Sequence, residues 1–115
     1  MSKKLIFIGA FLICSSLFGD SREKGKEIFL SYDCKMCHQD KAETVGPSLD
    51  KIGMFYSGKE NDLVSYLKGQ KKAIIYPERA AAMDPQLIKI RHLMDDEVRA
   101  LARYLSTAYN YREDM

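Results

Sequence analysis

The string Cys34-Lys35-Met36-Cys37-His38 decides how the rest of the chain is interpreted. It places two thiols three positions apart, within reach of one turn of chain, and puts an imidazole directly after the second thiol. A C-x-x-C-H string of this kind is the attachment motif of c-type haem. Each thiol can add to one vinyl group of the porphyrin, and His38 then lies beside the iron as the proximal ligand. The spacing therefore predicts one covalently attached haem c.

A C-x-x-C pair also has three other uses. A disulfide between Cys34 and Cys37 would close a very small loop, and it would therefore stabilise the fold little. A thioredoxin-type redox pair belongs at a strand-to-helix junction within a βαβ pattern, and the sequence shows no alternating apolar pattern that would predict strands. A zinc site needs four ligands, and beyond the motif only His92 remains as a Cys or His candidate in the exported part. We therefore favour haem attachment.

The first 19 residues have the composition of an export signal. Lys3 and Lys4 precede an apolar run from Leu5 to Phe18, and small residues follow, as in a secretory signal peptide. The run is shorter than the roughly 20 residues that a membrane-spanning helix needs. We expect cleavage after Gly19, so that residues 1–19 form a signal peptide and residues 20–115 form the functional domain. The alternative is a leader that is retained as an N-terminal membrane anchor.

Export also determines how the remaining cysteine is interpreted. Cys14 lies inside the apolar run and follows Ile13. A lipidated cysteine normally follows a small residue, so we expect no lipid at Cys14. Once the leader is removed, the two cysteines of the motif remain in a compartment that favours oxidised thiols. The sequence therefore predicts a periplasmic protein.

Charge and length exclude several classes of protein. The chain has 115 residues, 18 Lys+Arg, 16 Asp+Glu and a formal net charge of +2. Because the leader contains two of the lysines and no acidic residue, residues 20–115 have no formal net charge. Nucleic-acid binding depends on a basic face that neutralises phosphates, so we expect no nucleic-acid partner. Domains usually run to about 100–150 residues, so the chain holds one domain.

Apolar spacing predicts an all-α fold. Apolar or small residues recur at i, i+3, i+4 and i+7 in two segments: Gly25, Ile28, Phe29 and Tyr32, and later Val98, Leu101, Ala102 and Leu105. Ser21 is the predicted N-cap of the first helix. A further helix is predicted over Asn61–Lys68, with Gly69 as its stop. Residues 39–58 and 70–82 are predicted to be irregular loops, and no strands are expected.

With these features in place, the chain resembles the class I c-type cytochromes of bacteria over residues 22–106. The resemblance rests on four segments in the family's order, the last of them followed by a terminal helix that ends Leu101-Ala102-Arg103-Tyr104-Leu105. The segments are Gly25-Lys26-Glu27-Ile28-Phe29, Cys34 to His38, Val45-Gly46-Pro47-Ser48-Leu49, and Met83-Asp84-Pro85-Gln86. The resemblance implies three to four short helices wrapped around the haem. It implies that the first and last helices cross through Gly25, Phe29, Leu101 and Tyr104. It also implies that Pro47 packs on the proximal haem face and that its carbonyl accepts a hydrogen bond from His38.

The distal iron ligand is predicted to be a methionine, because His/Met is the ligand pair of cytochromes c. A thioether opposite a histidine raises the reduction potential. Met83 lies in a loop before Pro85-Gln86, as in the family's ligand loop. The segment from Met83 to Leu93 is slightly longer than usual in the family, and Met94 occupies the usual place of a Ser or Thr helix cap. Met94 and His92 therefore remain open as alternative ligands. The predicted haem site consists of Cys34, Cys37, His38, Pro47 and Met83, with His38 and Met83 as the metal ligands.

The resemblance implies an electron carrier rather than an enzyme, in which one haem cycles between Fe(II) and Fe(III). Its redox partners would be a dehydrogenase, a quinol-oxidising complex or a terminal oxidase, and a membrane would be involved only if the leader is retained. Five lysines surround the expected haem rim, but interleaved acidic residues favour an ordinary solvated surface over a docking face. Two alternatives stay open: a haem-bearing subunit of a larger oxidoreductase, and a five-coordinate haem sensor or peroxidase if Met83 does not bind iron. The five lysines are Lys35, Lys41, Lys51, Lys71 and Lys72.

Overall fold

The computed structural model describes residues 21–109, and the predicted signal peptide, with Cys14, lies outside them. Within these residues there are five α-helices and two 3-10 helices. In chain order they are α1 (residues 21–31), a 3-10 helix Cys34–Met36, α2 (Leu49–Phe55), α3 (Glu60–Leu67), a 3-10 helix Pro77–Met83, α4 (Asp84–Ile90) and α5 (Asp95–Ser106). The described part contains no strand, only one isolated antiparallel bridge between His38 and Glu43. The predicted all-α class is confirmed.

The last helix, α5, is the centre of the core and packs against α2 and α3. Its predicted apolar stripe is confirmed, since Val98, Leu101, Ala102 and Leu105 are all buried. The carboxylates of Asp95, Asp96 and Glu97 lie in its first turn, where they oppose the positive end of the helix dipole.

The first and last helices cross at Gly25, as predicted. A Cβ on Gly25 would lie 2.0 Å from the carbonyl oxygen of Ala100 and 2.9 Å from the Cβ of Tyr104. One turn further along α1, the rings of Phe29 and Tyr104 meet with their centres 5.5 Å apart. Ser21 does not cap α1 as predicted, because it already lies within the helix.

The helix α2 was not predicted, since residues 39–58 were expected to be irregular. Ser48 caps it by accepting a hydrogen bond of 3.1 Å from the backbone N–H of Lys51. Gly53 lowers the intrinsic helix propensity of this segment. A Cβ on Gly53 would lie 2.6 Å from the backbone nitrogen of Tyr109. The close approach of Tyr109 therefore requires glycine at this position, although glycine weakens the helix signal in the sequence.

The segment before α5 also contains more helix than predicted. Part of the loop expected over residues 70–82 is the 3-10 helix Pro77–Met83, and α4 follows it directly. Pro85 lies in the first turn of α4, where a missing N–H costs no helical hydrogen bond. Leu87 and Ile90 are buried one turn apart. The fold therefore has more helices than the three or four expected, and the extra ones are short.

The helix α3 lies within one residue of the prediction. Its N-cap is Lys59, and the Asn61 side chain accepts a hydrogen bond of 2.9 Å from Arg99. Gly69 follows the helix with a φ of +77°, which is the left-handed conformation that ends helices. Among residues 21–109, no helix has both the length and the apolar composition needed to cross a membrane.

Candidate functional site

An open cavity lies between the C-x-x-C-H motif, α3, α5 and the segment that leads into α4. Its space, including the open mouth, amounts to about 1200 Å³. One wall carries both thiols and the imidazole of the motif, and Met83 also lines the cavity. The remaining lining is largely apolar and includes Phe29, Ile52, Leu63, Leu67, Ile90, Leu101 and Leu105.

Local geometry brings the motif's side chains together. Asp33 has a left-handed backbone (φ 58°, ψ 26°) that turns the chain out of α1. The 3-10 helix follows, and its carbonyl at Cys34 accepts hydrogen bonds from the N–H groups of Cys37 (3.2 Å) and His38 (2.9 Å). This single tight turn places both thiols and the imidazole on the cavity.

Both thiols are free and partly buried. Burial raises the pKa of the Cys34 thiol to about 11, and the nearby Asp33 carboxylate acts in the same direction. Desolvation favours the neutral form of an acid. A thiol with so high a pKa is neutral at physiological pH.

The imidazole of His38 is held by the loop before α2. Its Nδ1 lies 2.8 Å from the carbonyl oxygen of Pro47. A carbonyl can only accept, so Nδ1 carries the proton and Nε2 keeps the lone pair that a metal needs. Gly46 allows the loop to approach this closely, because a Cβ there would lie 2.6 Å from Cε1 of His38.

The candidate distal ligands differ in position. Met83 is partly buried, packs against the core and lines the cavity that His38 also lines. Met94 is the N-cap residue of α5, is 64% exposed and does not line the cavity. His92 is exposed and borders a separate surface depression beside Tyr32 and Lys89. Of the three candidates, only Met83 shares a cavity with His38.

A cluster of polar side chains, two of which line the cavity, was not predicted from the sequence. We call Glu43, Lys51, Tyr76 and Arg79 the rim cluster; Tyr76 and Arg79 are the two that line the cavity. The Tyr76 hydroxyl donates to the Glu43 carboxylate at 2.7 and 2.8 Å. Lys51 pairs with Glu43 and also hydrogen-bonds the Tyr76 hydroxyl. The Arg79 guanidinium lies 4.0 Å from the centre of the Tyr76 ring. Hydrogen bonds from Lys51 and Tyr76 lower the pKa of Glu43, and Glu43 raises the pKa of Lys51.

No signal in the sequence joins these four residues, because Glu43 and Tyr76 are 33 positions apart. Tyr76, like Tyr56 and Tyr66, has a phenol that can bond a haem propionate, and nothing in the sequence selects one of the three. All three tyrosines line the cavity.

The residues present suit a covalently bound haem. The cavity combines two thiols, an imidazole with an available Nε2, a thioether and an apolar lining. Thiols form the thioether links of haem c, while imidazole and thioether are the axial ligands of cytochromes c. Tyr76 and Arg79 add polar groups to this lining.

Comparison with known protein families agrees with this chemistry. A family model described as "Cytochrome c" matches residues 22–108, which is most of the chain and nearly all of its described part. No curated protein matches the chain significantly.

Proposed function

This chain belongs to the cytochrome c family, which transfers electrons by means of covalently bound haem c, and we propose that it is a monohaem electron carrier of the periplasm. The observation that carries the proposal is that His38 and Met83 line one apolar cavity together with both thiols of the motif. A haem bound there supplies a one-electron Fe(II)/Fe(III) couple. The chain's own residues hold that group and set its environment.

Attachment is assigned to Cys34 and Cys37, which form the thioether links. His38 is the proximal ligand through Nε2, since Nδ1 is engaged by Pro47. The hydrogen bond to the Pro47 carbonyl keeps the ring in one orientation and increases its basicity, as such partners do for metal-bound histidines. Gly46 is required because any side chain there would collide with the imidazole.

Met83 is assigned as the distal ligand. It ends the 3-10 helix Pro77–Met83 and packs against the core, so its thioether is brought to the cavity by ordered chain. A His/Met pair raises the reduction potential, which suits a carrier that accepts electrons readily. The apolar lining acts in the same direction, because it disfavours the form with the higher charge.

We assign no catalytic step to this chain. A carrier needs only an attached haem and a route for the electron to a partner. Its partners are a dehydrogenase, a quinol-oxidising complex or a terminal oxidase. The lysines are not proposed as a docking face, because Lys51 pairs with Glu43 and Lys71 pairs with Asp62 at 2.8 Å.

The periplasmic location is proposed from the N-terminal sequence, in which Lys3 and Lys4 precede a short apolar run and a small residue, Gly19. Expression of the full chain followed by cell fractionation and mass spectrometry tests this assignment. A mature protein that begins at Asp20 and is released with the periplasmic fraction is the expected result. A protein that stays in the membrane with residues 1–19 intact would instead show an anchored carrier.

Optical and potentiometric titration of the exported protein tests the carrier function. We expect covalently bound haem, a reversible one-electron couple and the weak sulfur-to-iron absorption band of the ferric form. The variant Met83→Ala should lose that band and lower the reduction potential, whereas Met94→Ala should retain both. Wild-type protein without the band would contradict methionine ligation and favour the five-coordinate alternative. Co-purification with a catalytic subunit would favour the alternative of a subunit in a larger oxidoreductase.

A further inference from the structure

The two sides of the cavity are held in different ways. On the proximal side, backbone hydrogen bonds tie residues 39–50 to the motif and to one another. The N–H of Gly46 donates to the carbonyl of Cys37 at 3.0 Å, and the N–H of Leu49 donates to the carbonyl of Gln39 at 2.8 Å. Backbone bonds of this kind make the loop between the motif and α2 a firm support for His38.

The opposite side is held mainly by side chains. We call residues 70–83 the Met83 segment. After a bond from the N–H of Gln70 to the carbonyl of Ser65, residues 71–75 donate no backbone–backbone hydrogen bond to the described part of the chain. The next such bond runs from the N–H of Arg79 to the carbonyl of Tyr76 at 2.9 Å.

Three side-chain contacts hold this segment. Lys71 pairs with Asp62, and the Ile75 side chain packs against the core. The third contact is made by Tyr76, which lies closest to Met83 along the chain. Its hydroxyl donates to Glu43, in the loop between the motif and α2. The Tyr76 contact joins the Met83 segment to the loop that supports His38.

The backbone of Tyr76 has an unusual conformation that its side-chain contacts help to hold. Its φ of 46° and ψ of 58° place a residue with a large side chain in the left-handed region, which such residues rarely adopt unless their surroundings impose it. Glu43, Lys51 and Arg79 provide those surroundings. The 3-10 helix that ends at Met83 begins directly after Tyr76, so Tyr76 connects the rim cluster to the helix that carries Met83.

We propose that the rim cluster is a latch: the Tyr76–Glu43 hydrogen bond holds the Met83 segment closed and thereby limits displacement of Met83 by small molecules. The proposal rests on Met83 as the distal ligand. Tyr76 and Glu43 are positioning residues, since they act on Met83 through the chain. A small ligand competes only when the segment is open, so its apparent affinity rises in proportion to the open fraction.

Imidazole binding to the ferric holoprotein measures that open fraction. Tyr76→Phe removes the hydroxyl and keeps the ring against Arg79, while Glu43→Gln removes the acceptor's charge. Each variant should bind imidazole about three- to tenfold more tightly, as expected for loss of a solvent-exposed hydrogen bond to a charged group. The double variant should gain clearly less affinity than the product of the two single effects, because both changes weaken the same Tyr76–Glu43 hydrogen bond.

Asp96→Asn is the matched control. It also removes one exposed carboxylate from a lysine pair, Lys24–Asp96 at 3.2 Å, but this pair joins α1 to α5 and does not involve the Met83 segment. Its imidazole affinity should stay within about twofold of wild type. Denaturation of each holoprotein shows whether any general loss of stability accompanies the change in affinity.

Met83→Ala separates the latch from the ligand assignment. If this variant loses the sulfur-to-iron band while Tyr76→Phe and Glu43→Gln bind imidazole as wild type does, the latch is wrong and Met83 ligation stands. If Met83→Ala keeps the band, the ligand assignment is wrong and the latch falls with it. If Asp96→Asn and Glu43→Gln gained the same affinity for imidazole, the latch would also be wrong, because the gain would then reflect a general loss of stability of the protein.

Discussion

Gly25 of α1 lies directly against the backbone of Ala100 of α5, where an added Cβ would come within 2.0 Å of the Ala100 carbonyl oxygen. This relationship explains a residue that is unfavourable by helix propensity alone. Within a helix, glycine is roughly 1 kcal/mol less favourable than alanine. The crossing of the two helices requires it because the neighbouring atom is backbone and cannot rotate away.

Two hypotheses therefore predict opposite effects of Gly25→Ala on the stability of the folded protein. If helix propensity dominated, the variant would gain about 1 kcal/mol of stability. Because overpacking of a close helix crossing dominates, we expect Gly25→Ala to lose about 1–3 kcal/mol. Guanidinium unfolding of the holoprotein measures the difference. The exposed neighbour Lys26→Ala is the control, with an expected change within about 0.5 kcal/mol.

Removal of one thiol tests haem attachment. Cys37→Ala leaves one thiol on the cavity, so only one thioether link can form. The pyridine haemochrome spectrum should shift towards that of a singly linked haem, and the yield of holoprotein should fall. Replacement of Cys14, which lies in the predicted leader, should leave the spectrum of the mature protein unchanged. A doubly linked haem in Cys37→Ala would refute the assigned attachment site.

Gly46 provides a test of the proximal side. In Gly46→Ala the new Cβ would meet the His38 ring, with Cε1 only 2.6 Å away. Either the imidazole or the loop must shift, which weakens the 2.8 Å hydrogen bond to the Pro47 carbonyl. We expect a loss of about 1–3 kcal/mol in stability together with an altered reduction potential. Gly58→Ala is a useful comparison, because no atom lies within 4 Å of its Cβ position although its φ is +72°. It should cost stability without changing the potential.

The ion pair between Lys68 and Asp95 predicts part of the response to acid. Its hydrogen bond from Lys68 holds the pKa of Asp95 below the ordinary 3.8. A carboxylate with a lowered folded pKa contributes stability above its unfolded pKa and loses it as the pH falls through the folded pKa. Asp95→Asn should therefore be less stable than wild type at pH 7, and the difference should shrink below pH 3.8. Chemical unfolding of both proteins across this range measures it.

Asp96→Asn controls for the acid response, since it removes another charge from the same first turn of α5 without breaking the Lys68 pair. A stability difference between Asp95→Asn and wild type that stays constant from pH 7 to pH 2 would contradict the assigned linkage. The effect is expected to be small, because both partners are at the surface and such pairs are screened by water and salt.

Part of the fold could be predicted because its signals are local. The stripe on α5, the stop at Gly69 and the small residue at the helix crossing each follow from spacing or from residue chemistry. The helices α2 and α4 were missed for a physical reason. Each is short, and a glycine in α2 and a proline in α4 weaken the local signal. Packing stabilises them: Gly53 lies against Tyr109, and Leu87 and Ile90 are buried.

The sequence by itself determined the haem attachment motif and the apolar faces, because both depend on residues that lie within a turn or two of one another. It left Met83, Met94 and His92 as candidate distal ligands. Only the tertiary structure decided which of them shares the cavity with His38, and only it brought Glu43, Lys51 and Tyr76 together. Both outcomes depend on the path of the chain over residues 39–48 and 70–83. Contacts between residues far apart in sequence determine that path, so no local spacing encodes it.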